Sequence, residues 1–315
     1  MGLAICGIAF FHAPFVIHNP WLKLFHDMLN CGVDLFLFLS GLGAYHSIRS
    51  RGGRGYLCQR AIRLFPGLYL FLIPWGLIMF LAGFMTGRDF IGSVTLLGWW
   101  FGQTNQLNWY FSAVWAFFLL AVPLYHLFSR TKHPIPLWLS LTIISVLLGI
   151  LCPVDRLMVA VTRLPIFLTG MLFGCLECRG FSHEKLLRCI LYPLMFLGLW
   201  LVAATYWGLG WTYGYSLGLW WYPYALIIPG AAIMISDLAA ICRKYRIPSL
   251  LMRPFQWCGE SSAEILMVHV GVYKIIFATT TFRNRIWLCI LLACLALGCL
   301  YHYLVVSRLH LSKRQ

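Results

Sequence analysis

The feature that most constrains this chain is the recurrence of long apolar runs. A helix that crosses a bilayer needs about 20 apolar residues. Ten runs qualify, some a little short: 3–19, 31–47, 65–86, 107–128, 135–152, 158–177, 187–208, 213–237, 261–281 and 285–307. Only 10% of the residues are charged, against roughly 25% in soluble domains. The sequence therefore predicts an all-α polytopic membrane protein, a bundle of ten transmembrane helices that forms one domain over residues 1–315.

The distribution of lysine and arginine predicts the orientation of these helices. With the N-terminus in the cytoplasm, seventeen of these residues lie on the inner side and five on the outer side. Positive residues concentrate in cytoplasmic loops, so both termini are predicted to be cytoplasmic in a multi-pass protein of the plasma (inner) membrane. The same rule explains the net charge of +15, and no nucleic-acid partner is predicted. Segment 91–102 is too short to span comfortably and is predicted to be interfacial or re-entrant.

Ionisable residues interrupt several of the apolar runs: His12, Asp34, Arg163, Glu264, His269 and Lys274. Such residues are costly in hydrocarbon and usually face an interior cavity. Each also has a structural interpretation, such as a histidine bonded to a backbone carbonyl or an aspartate that caps its helix. His12 and Asp34 fall in the outer half of consecutive helices, and a carboxylate beside an imidazole makes it a better base. We therefore predict that His12 is a general base oriented by Asp34, and the contact between them is a hypothesis.

The stretch "YHSIRSRGGRGYLCQRAIRLFPGLY" (45–69) carries five arginines on the predicted cytoplasmic side. Arg60 and Arg63 are three positions apart, so they share a face of a helix. Such a pair can hold phosphate groups bidentately. An ordinary positive cytoplasmic loop would explain the charge but not this spacing. The twelve cysteines are scattered through the chain, and no metal site is predicted.

Five ordered blocks of sequence then point to a family. They are "GLAICGIAFFHAPF", "GVDLFLFLSGLGAY", "QRAIRLFPGLY", the pair "NWYFSAVWAFFLLAVPLY" and "TRLPIFLTGMLFG", and "CGESSAEILMVHVGVY". With these blocks the chain resembles the integral-membrane acyltransferase family 3, whose members modify cell-surface polysaccharides and related molecules. The family commonly carries an arginine eleven positions before the histidine of the first block, where this chain has Met1. Either this arginine is missing or the true start of the protein lies upstream of Met1, and we favour the second explanation.

The resemblance implies a membrane O-acyltransferase. It would move an acyl group, expected to be acetyl, from cytoplasmic acyl-CoA to a hydroxyl of a cell-surface polysaccharide or glycolipid. Acetyl-CoA would be the donor substrate, and no cofactor would be permanently bound. By this resemblance His12 would be the general base, and Asp34 would orient its imidazole. Arg60 and Arg63 would bind the donor. The residues expected to line the cavity are Ser40, Trp109, Arg163 and His269. Ser40 fits a small helix-packing residue beside Gly41 better than an acyl carrier, and a covalent acyl-histidine stays open.

Two other functions compete with this one. A transporter or flippase of a glycan or lipid intermediate also uses charges within the membrane, but transporters often show inverted repeats and paired broken helices, which this sequence does not display. A catalytically inactive acyltransferase homologue is the third possibility, because of Met1. Loss of acyl-CoA binding on substitution of Arg60 and Arg63 would separate an acyltransferase from a transporter.

Overall fold

The computed structural model describes residues 1–103, 107, 109–151, 155–181, 184–210, 214, 217–244, 249–277 and 284–308. It is 85% helical, and the described residues contain no strand, which confirms the all-α class. The α-helices are α1 (Gly2–His12), α2 (Pro20–Met28), α3 (Gly32–Leu81), α4 (Gly87–Val94), α5 (Trp109–Arg130), α6 (Pro134–Leu151), α7 (Asp155–Val161), α8 (Leu164–Cys178), α9 (Glu184–Gly208), α10 (Tyr224–Lys244), α11 (Ser249–Glu260), α12 (Ser262–Phe277) and α13 (Asn284–Tyr301).

The length and hydropathy of these helices are those of a polytopic membrane protein. Among the described residues, seven helical stretches are long and apolar enough to cross a membrane. One of them contains α3, which holds two of the predicted spans without an intervening loop. Two further predicted spans correspond to α1, with 11 residues, and α12, with 16. The predicted count of ten spans and the cytoplasmic placement of both termini stay predictions.

The first helix ends earlier than the apolar run that predicts it. The run continues to residue 19, but α1 ends at His12, and Ala13 is extended with φ −75° and ψ 128°. The cause is Pro14, because the ring of a proline disfavours helical geometry in the residue before it. His12 is consequently the last residue of its helix rather than a residue in the middle of one.

The helical backbone is interrupted at two further places, one between two predicted spans and one inside a predicted span. In α3, Gly52 has φ 72° and ψ 166°, a backbone conformation that glycine adopts without steric cost. The predicted span 158–177 is divided into α7 and α8 by a turn at Thr162 and Arg163. Pro165 follows in the first turn of α8, where a proline costs no hydrogen bond.

The predicted interfacial segment 91–102 is short in the structure as well. The eight-residue helix α4 begins with a capping box, in which Thr86 and Asp89 satisfy each other's backbone N–H groups. The helix ends at Val94, and turns follow as far as residue 102. This helix is too short to cross a bilayer, and the interfacial or re-entrant position of segment 91–102 stays a prediction.

The contacts divide the chain into two compact units. The first unit contains Met1–Gly32, Leu57–Trp115 and Met252–Gln315, and the second contains Val33–Tyr56 and Ala116–Leu251. Each unit is built from separate parts of the chain, so neither corresponds to one continuous half of the sequence. The prediction of a single domain stays a prediction.

In the second unit, the first half of α3 packs closely against α8. A Cβ added to Gly41 would overlap the carbonyl oxygen of Phe167, and one added to Gly170 would overlap the carbonyl oxygen of Phe38. Each helix thus contributes a glycine where the other's backbone approaches, as small residues do in membrane helix pairs. Tyr45 packs on Gly174 further along, so the two helices run parallel.

We expect Gly41→Ala to destabilise the protein, because the new methyl group must displace the backbone of α8. Overpacking of this kind costs about 1–3 kcal/mol. The matched control is Gly208→Ala at the end of α9, where an added Cβ meets nothing within 4 Å. Denaturation in mixed micelles measures both variants, and equal stability of the two would contradict the close approach of α3 and α8.

Candidate functional site

Two histidines from distant parts of the chain meet in the first unit. Nδ1 of His12 lies 2.9 Å from Nε2 of His269. Nδ1 of His269 lies 2.7 Å from the carbonyl oxygen of Ile265, one turn earlier on α12. His269 is fully buried, whereas His12 is half-buried. We call this pair the histidine dyad.

The hydrogen bonds of the dyad assign its tautomers. A carbonyl oxygen only accepts, so Nδ1 of His269 carries the proton and donates it to Ile265. Nε2 of neutral His269 is then an acceptor, and Nδ1 of His12 donates to it. The lone pair of neutral His12 is therefore on Nε2, for which the described residues offer no hydrogen bond. A half-buried imidazole with its basic nitrogen free can accept a proton from a substrate.

Apolar packing fixes the position of the dyad. Residues next to both histidines belong to one buried cluster, formed by Ala13, Val268, Tyr273, Trp287 and Cys294. The Tyr273 hydroxyl donates a 3.4 Å hydrogen bond to the Ala9 carbonyl, which ties α12 to α1.

A polar cluster on α2 lies beside the end of α1, and the sequence analysis missed it. His26 lies 3.1 Å from the Phe10 carbonyl through Nε2 and 3.1 Å from Asp27 through Nδ1. Asp27 also forms an ion pair with Lys23. The His26 ring centroid is 6.0 Å from that of Phe11. The amphipathic pattern of the nine residues "PWLKLFHDM" is the sequence signal that could have predicted this helix.

Asp34 and Arg163 form a buried ion pair in the second unit. Oδ1 of Asp34 lies 3.5 Å from Nε of Arg163, and the side chains are only 1% and 3% exposed. Arg163 also donates a 2.8 Å hydrogen bond to the Val159 carbonyl, and its guanidinium carbon lies 5.2 Å from the ring centroid of Trp221. These contacts support a structural role for the pair.

The predicted contact between His12 and Asp34 stays a prediction. His12 belongs to the first unit and Asp34 to the second, and the structure gives each of them a different partner. At Nδ1 of His12, the nitrogen to which an orienting carboxylate would bind, the structure has His269.

The other predicted site residues divide between the two units. Arg60 is half-buried and Arg63 is exposed, both on α3 in the first unit. Further along the same helix, Nε1 of Trp75 donates a 3.3 Å hydrogen bond to the Gly271 carbonyl, half a turn after His269 on α12. Trp109 begins α5 and is half-buried. Ser40, in the second unit, is half-buried and precedes Gly41, where α3 closely approaches α8.

These observations define a class, which is a helical membrane protein with a pair of hydrogen-bonded histidines held among apolar side chains. A comparison with known families makes the class specific. The chain belongs to acyltransferase family 3, because the family model described as an acyltransferase domain matches residues 2–304. The suspected family is thereby confirmed, and the chain is a membrane acyltransferase. No curated protein and no solved structure matches it.

We expect Arg163→Ala to destabilise the second unit strongly, because it leaves the Asp34 carboxylate buried without its counter-charge. Breaking a buried pair in this way costs about 3–5 kcal/mol. The control is the double variant Asp34→Leu/Arg163→Met, which removes both charges and fills the space, and which should lose less than Arg163→Ala alone. Denaturation in mixed micelles measures the difference, and a double variant that is less stable than the single one would contradict the structural role.

Proposed function

We propose that this protein is an O-acyltransferase that moves an acyl group, most simply acetyl, from cytoplasmic acyl-CoA to a hydroxyl of a cell-surface polysaccharide or glycolipid. Family membership supports acyl transfer in general. The histidine dyad is the single observation that carries the mechanism, because it leaves one basic nitrogen free on a half-buried side chain. A hydroxyl is a poor nucleophile until a base accepts its proton.

The proposal includes ten spans with both termini in the cytoplasm of a plasma-membrane protein. Contacts within each unit support it, since they join residues that this topology assigns to the same side. On the outer side, the Asn284 side chain exchanges two 2.9 Å hydrogen bonds with the backbone of Val16. On the inner side, the Tyr301 hydroxyl donates to the Gly67 carbonyl, and Arg188 pairs with Asp237.

The histidine dyad suggests the order of the reaction steps. Nε2 of His12 accepts the proton of the acceptor hydroxyl while the oxygen bonds to the thioester carbonyl carbon. His269 stabilises the resulting imidazolium by accepting the hydrogen bond from Nδ1, and the Ile265 carbonyl extends the chain. The hydrogen bonds in such a series polarise one another and become stronger as charge develops. The carbon–sulfur bond to coenzyme A then breaks, and the leaving thiolate takes the proton back from His12.

In this proposal the donor binds through its phosphates to Arg60 and Arg63. Their positions on α3 support the proposal, because Arg63 is exposed and Arg60 is half-buried one turn before it. A guanidinium presents a planar fork that matches phosphate oxygens. Both arginines lie in the same compact unit as the dyad.

The dyad makes a prediction that separates the base from its orienting partner. In membranes supplied with radiolabelled acetyl-CoA, His12→Ala should lower transfer of label to lipid-linked glycan by about 100-fold or more. His269→Ala should cause a smaller loss, because the base remains but its orientation and charge stabilisation are gone. His133→Ala, at an exposed histidine before α6, is the control and should transfer normally.

Each outcome has a definite meaning once the variants are matched for folded protein by gel filtration. Normal transfer by His12→Ala would contradict its role as the base. Normal transfer by His269→Ala would contradict the dyad while leaving His12 in place. Absence of both transfer and acetyl-CoA hydrolysis in the unsubstituted chain would favour an inactive homologue.

The arginine pair makes a separate prediction about donor affinity. Arg60→Ala and Arg63→Ala should each raise the KM for acetyl-CoA with little change in kcat, since phosphate binding is equal in the ground and transition states. Each lost charged hydrogen bond is worth about 1.5–3 kcal/mol, or about tenfold to 100-fold in KM. Arg130→Ala, at the exposed end of α5, is the control. An unchanged KM in both variants would contradict donor binding at this pair and would reopen a transport function.

A further inference from the structure

A second arrangement of reactive side chains lies in the second unit, where α3 passes the end of α8. Sγ of Cys178 lies 3.5 Å from Nδ1 of His46. Nε2 of the same imidazole lies 2.9 Å from Oε2 of Glu177. His46 thus connects a thiol on one side with a carboxylate on the other. We call these three residues the cysteine triad.

The hydrogen bonds give this triad a direction of proton transfer. An ionised carboxylate only accepts, so Glu177 holds the proton of His46 on Nε2. The lone pair of the neutral imidazole is then on Nδ1, facing the thiol of Cys178. The imidazole can remove the thiol proton, and Glu177 stabilises the imidazolium that forms. A thiol, a base and an orienting carboxylate in this order are the parts of an activated cysteine nucleophile.

The surroundings place a positive charge beside Cys178 and leave its thiol within reach of a substrate. Arg49, one turn after His46, donates a 3.2 Å hydrogen bond to the Cys178 carbonyl. The side chains of His46 and Glu177 are 45% and 53% exposed, and Cys178 is half-buried. A partly exposed cysteine beside positive charge is the usual setting of a reactive thiol.

The neighbouring cysteine shows that this arrangement is specific. Cys175 is buried one turn earlier on α8, and its thiol donates to the Phe128 carbonyl at 3.6 Å. Among the described residues no imidazole or carboxylate is hydrogen-bonded to the Cys175 thiol, and burial keeps this thiol from a substrate. Of Cys175 and Cys178, only Cys178 has the contacts of a nucleophile.

We propose that Cys178 is a second acyl-accepting site, which takes an acyl group from acyl-CoA with His46 as its base and Glu177 as the positioning residue. His46 removes the thiol proton, Sγ bonds to the thioester carbonyl carbon, and the carbon–sulfur bond to coenzyme A breaks. His46 then returns the proton to the coenzyme A thiolate. One thioester is exchanged for another, so the step needs no further reactant.

The identity of the donor rests on the proposed function, and the charges near the triad agree with it. Arg49, Arg51 and Arg54 are all exposed on α3 just after His46. Coenzyme A carries several phosphate charges, which guanidinium groups bind well. In the proposed topology, this end of α8 faces the cytoplasm, where acyl-CoA is made.

The test uses the full chain in detergent micelles with radiolabelled acetyl-CoA and no glycan acceptor. We expect label on Cys178 that neutral hydroxylamine removes, as a thioester requires, appearing at least about tenfold faster than label on Cys189. Cys189 is an exposed cysteine on α9 in the same unit and serves as the internal control. His46→Gln should slow labelling of Cys178 by about 100-fold, and Glu177→Gln should slow it less.

A second measurement separates activation from packing. Alkylation by iodoacetamide should be fast at Cys178 near pH 7 in the unsubstituted chain. In His46→Gln it should slow to the rate measured at Cys189. Equal labelling of Cys178 and Cys189 by acetyl-CoA would overturn the proposal, as would fast alkylation without acetylation or acetylation unaffected by His46→Gln.

Failure of this inference and failure of the proposed function give different results. A chain that acetylates glycan normally while Cys178 stays unlabelled contradicts only the second site. A chain that labels Cys178 but never acetylates glycan contradicts only the proposed acceptor chemistry. His12→Ala should leave the labelling of Cys178 unchanged, because the triad contains no part of the histidine dyad.

Discussion

A polar side chain in hydrocarbon must find its partner inside the protein, because lipid offers it no hydrogen bond. This chain meets that constraint in two ways. Asp34 and Arg163 cancel each other's charge and bury it almost completely. His12 and His269 remain neutral and form a chain that ends at a backbone carbonyl. The first solution commits both charges to structure, whereas the second places a basic nitrogen in an apolar setting without introducing a charge until a proton arrives.

Close packing between α3 and α8 determines which polar groups meet at the two ends of this helix pair. The glycines Gly41 and Gly170 let the backbones approach at the centre. With the register set there, Asp34 reaches Arg163 at one end and His46 reaches Glu177 at the other. The buried ion pair and the cysteine triad are thus consequences of the same helix crossing.

Much of the fold could be predicted from the sequence, because in a membrane protein composition alone selects helices. Helix ends were harder to predict. The apolar run through His12 continues past the helix, and the local geometry of Pro14 decides where α1 stops. Segment 91–102 was too short for a span, and the structure has there the end of a short helix, α4, that begins four residues earlier.

The sequence predicted which residues belong to the candidate site, but it did not predict which of them contact one another. His12 and His269 are separated by 257 positions, and no local pattern reveals a hydrogen bond over that distance. Asp34, in the outer half of the next predicted span, was the natural partner to predict for His12, but the ion pair with Arg163 depends on how α3 meets α8. His26 was missed because its role comes from the Phe10 carbonyl, a backbone group that sequence patterns do not mark.

Two histidines with such different surroundings suit two different nucleophiles. A hydroxyl holds its proton tightly, so its base must act while the new bond forms, and a dry site in which charge is strongly stabilised by a hydrogen bond assists that step. A thiol ionises near neutral pH, so the exposed His46 needs only to shift an existing equilibrium. An ester formed at a hydroxyl is less reactive than the thioester donor, whereas an acyl group on Cys178 remains a thioester. In the proposed chemistry, transfer through the dyad is therefore a terminal step, whereas transfer to the triad keeps the acyl group reactive.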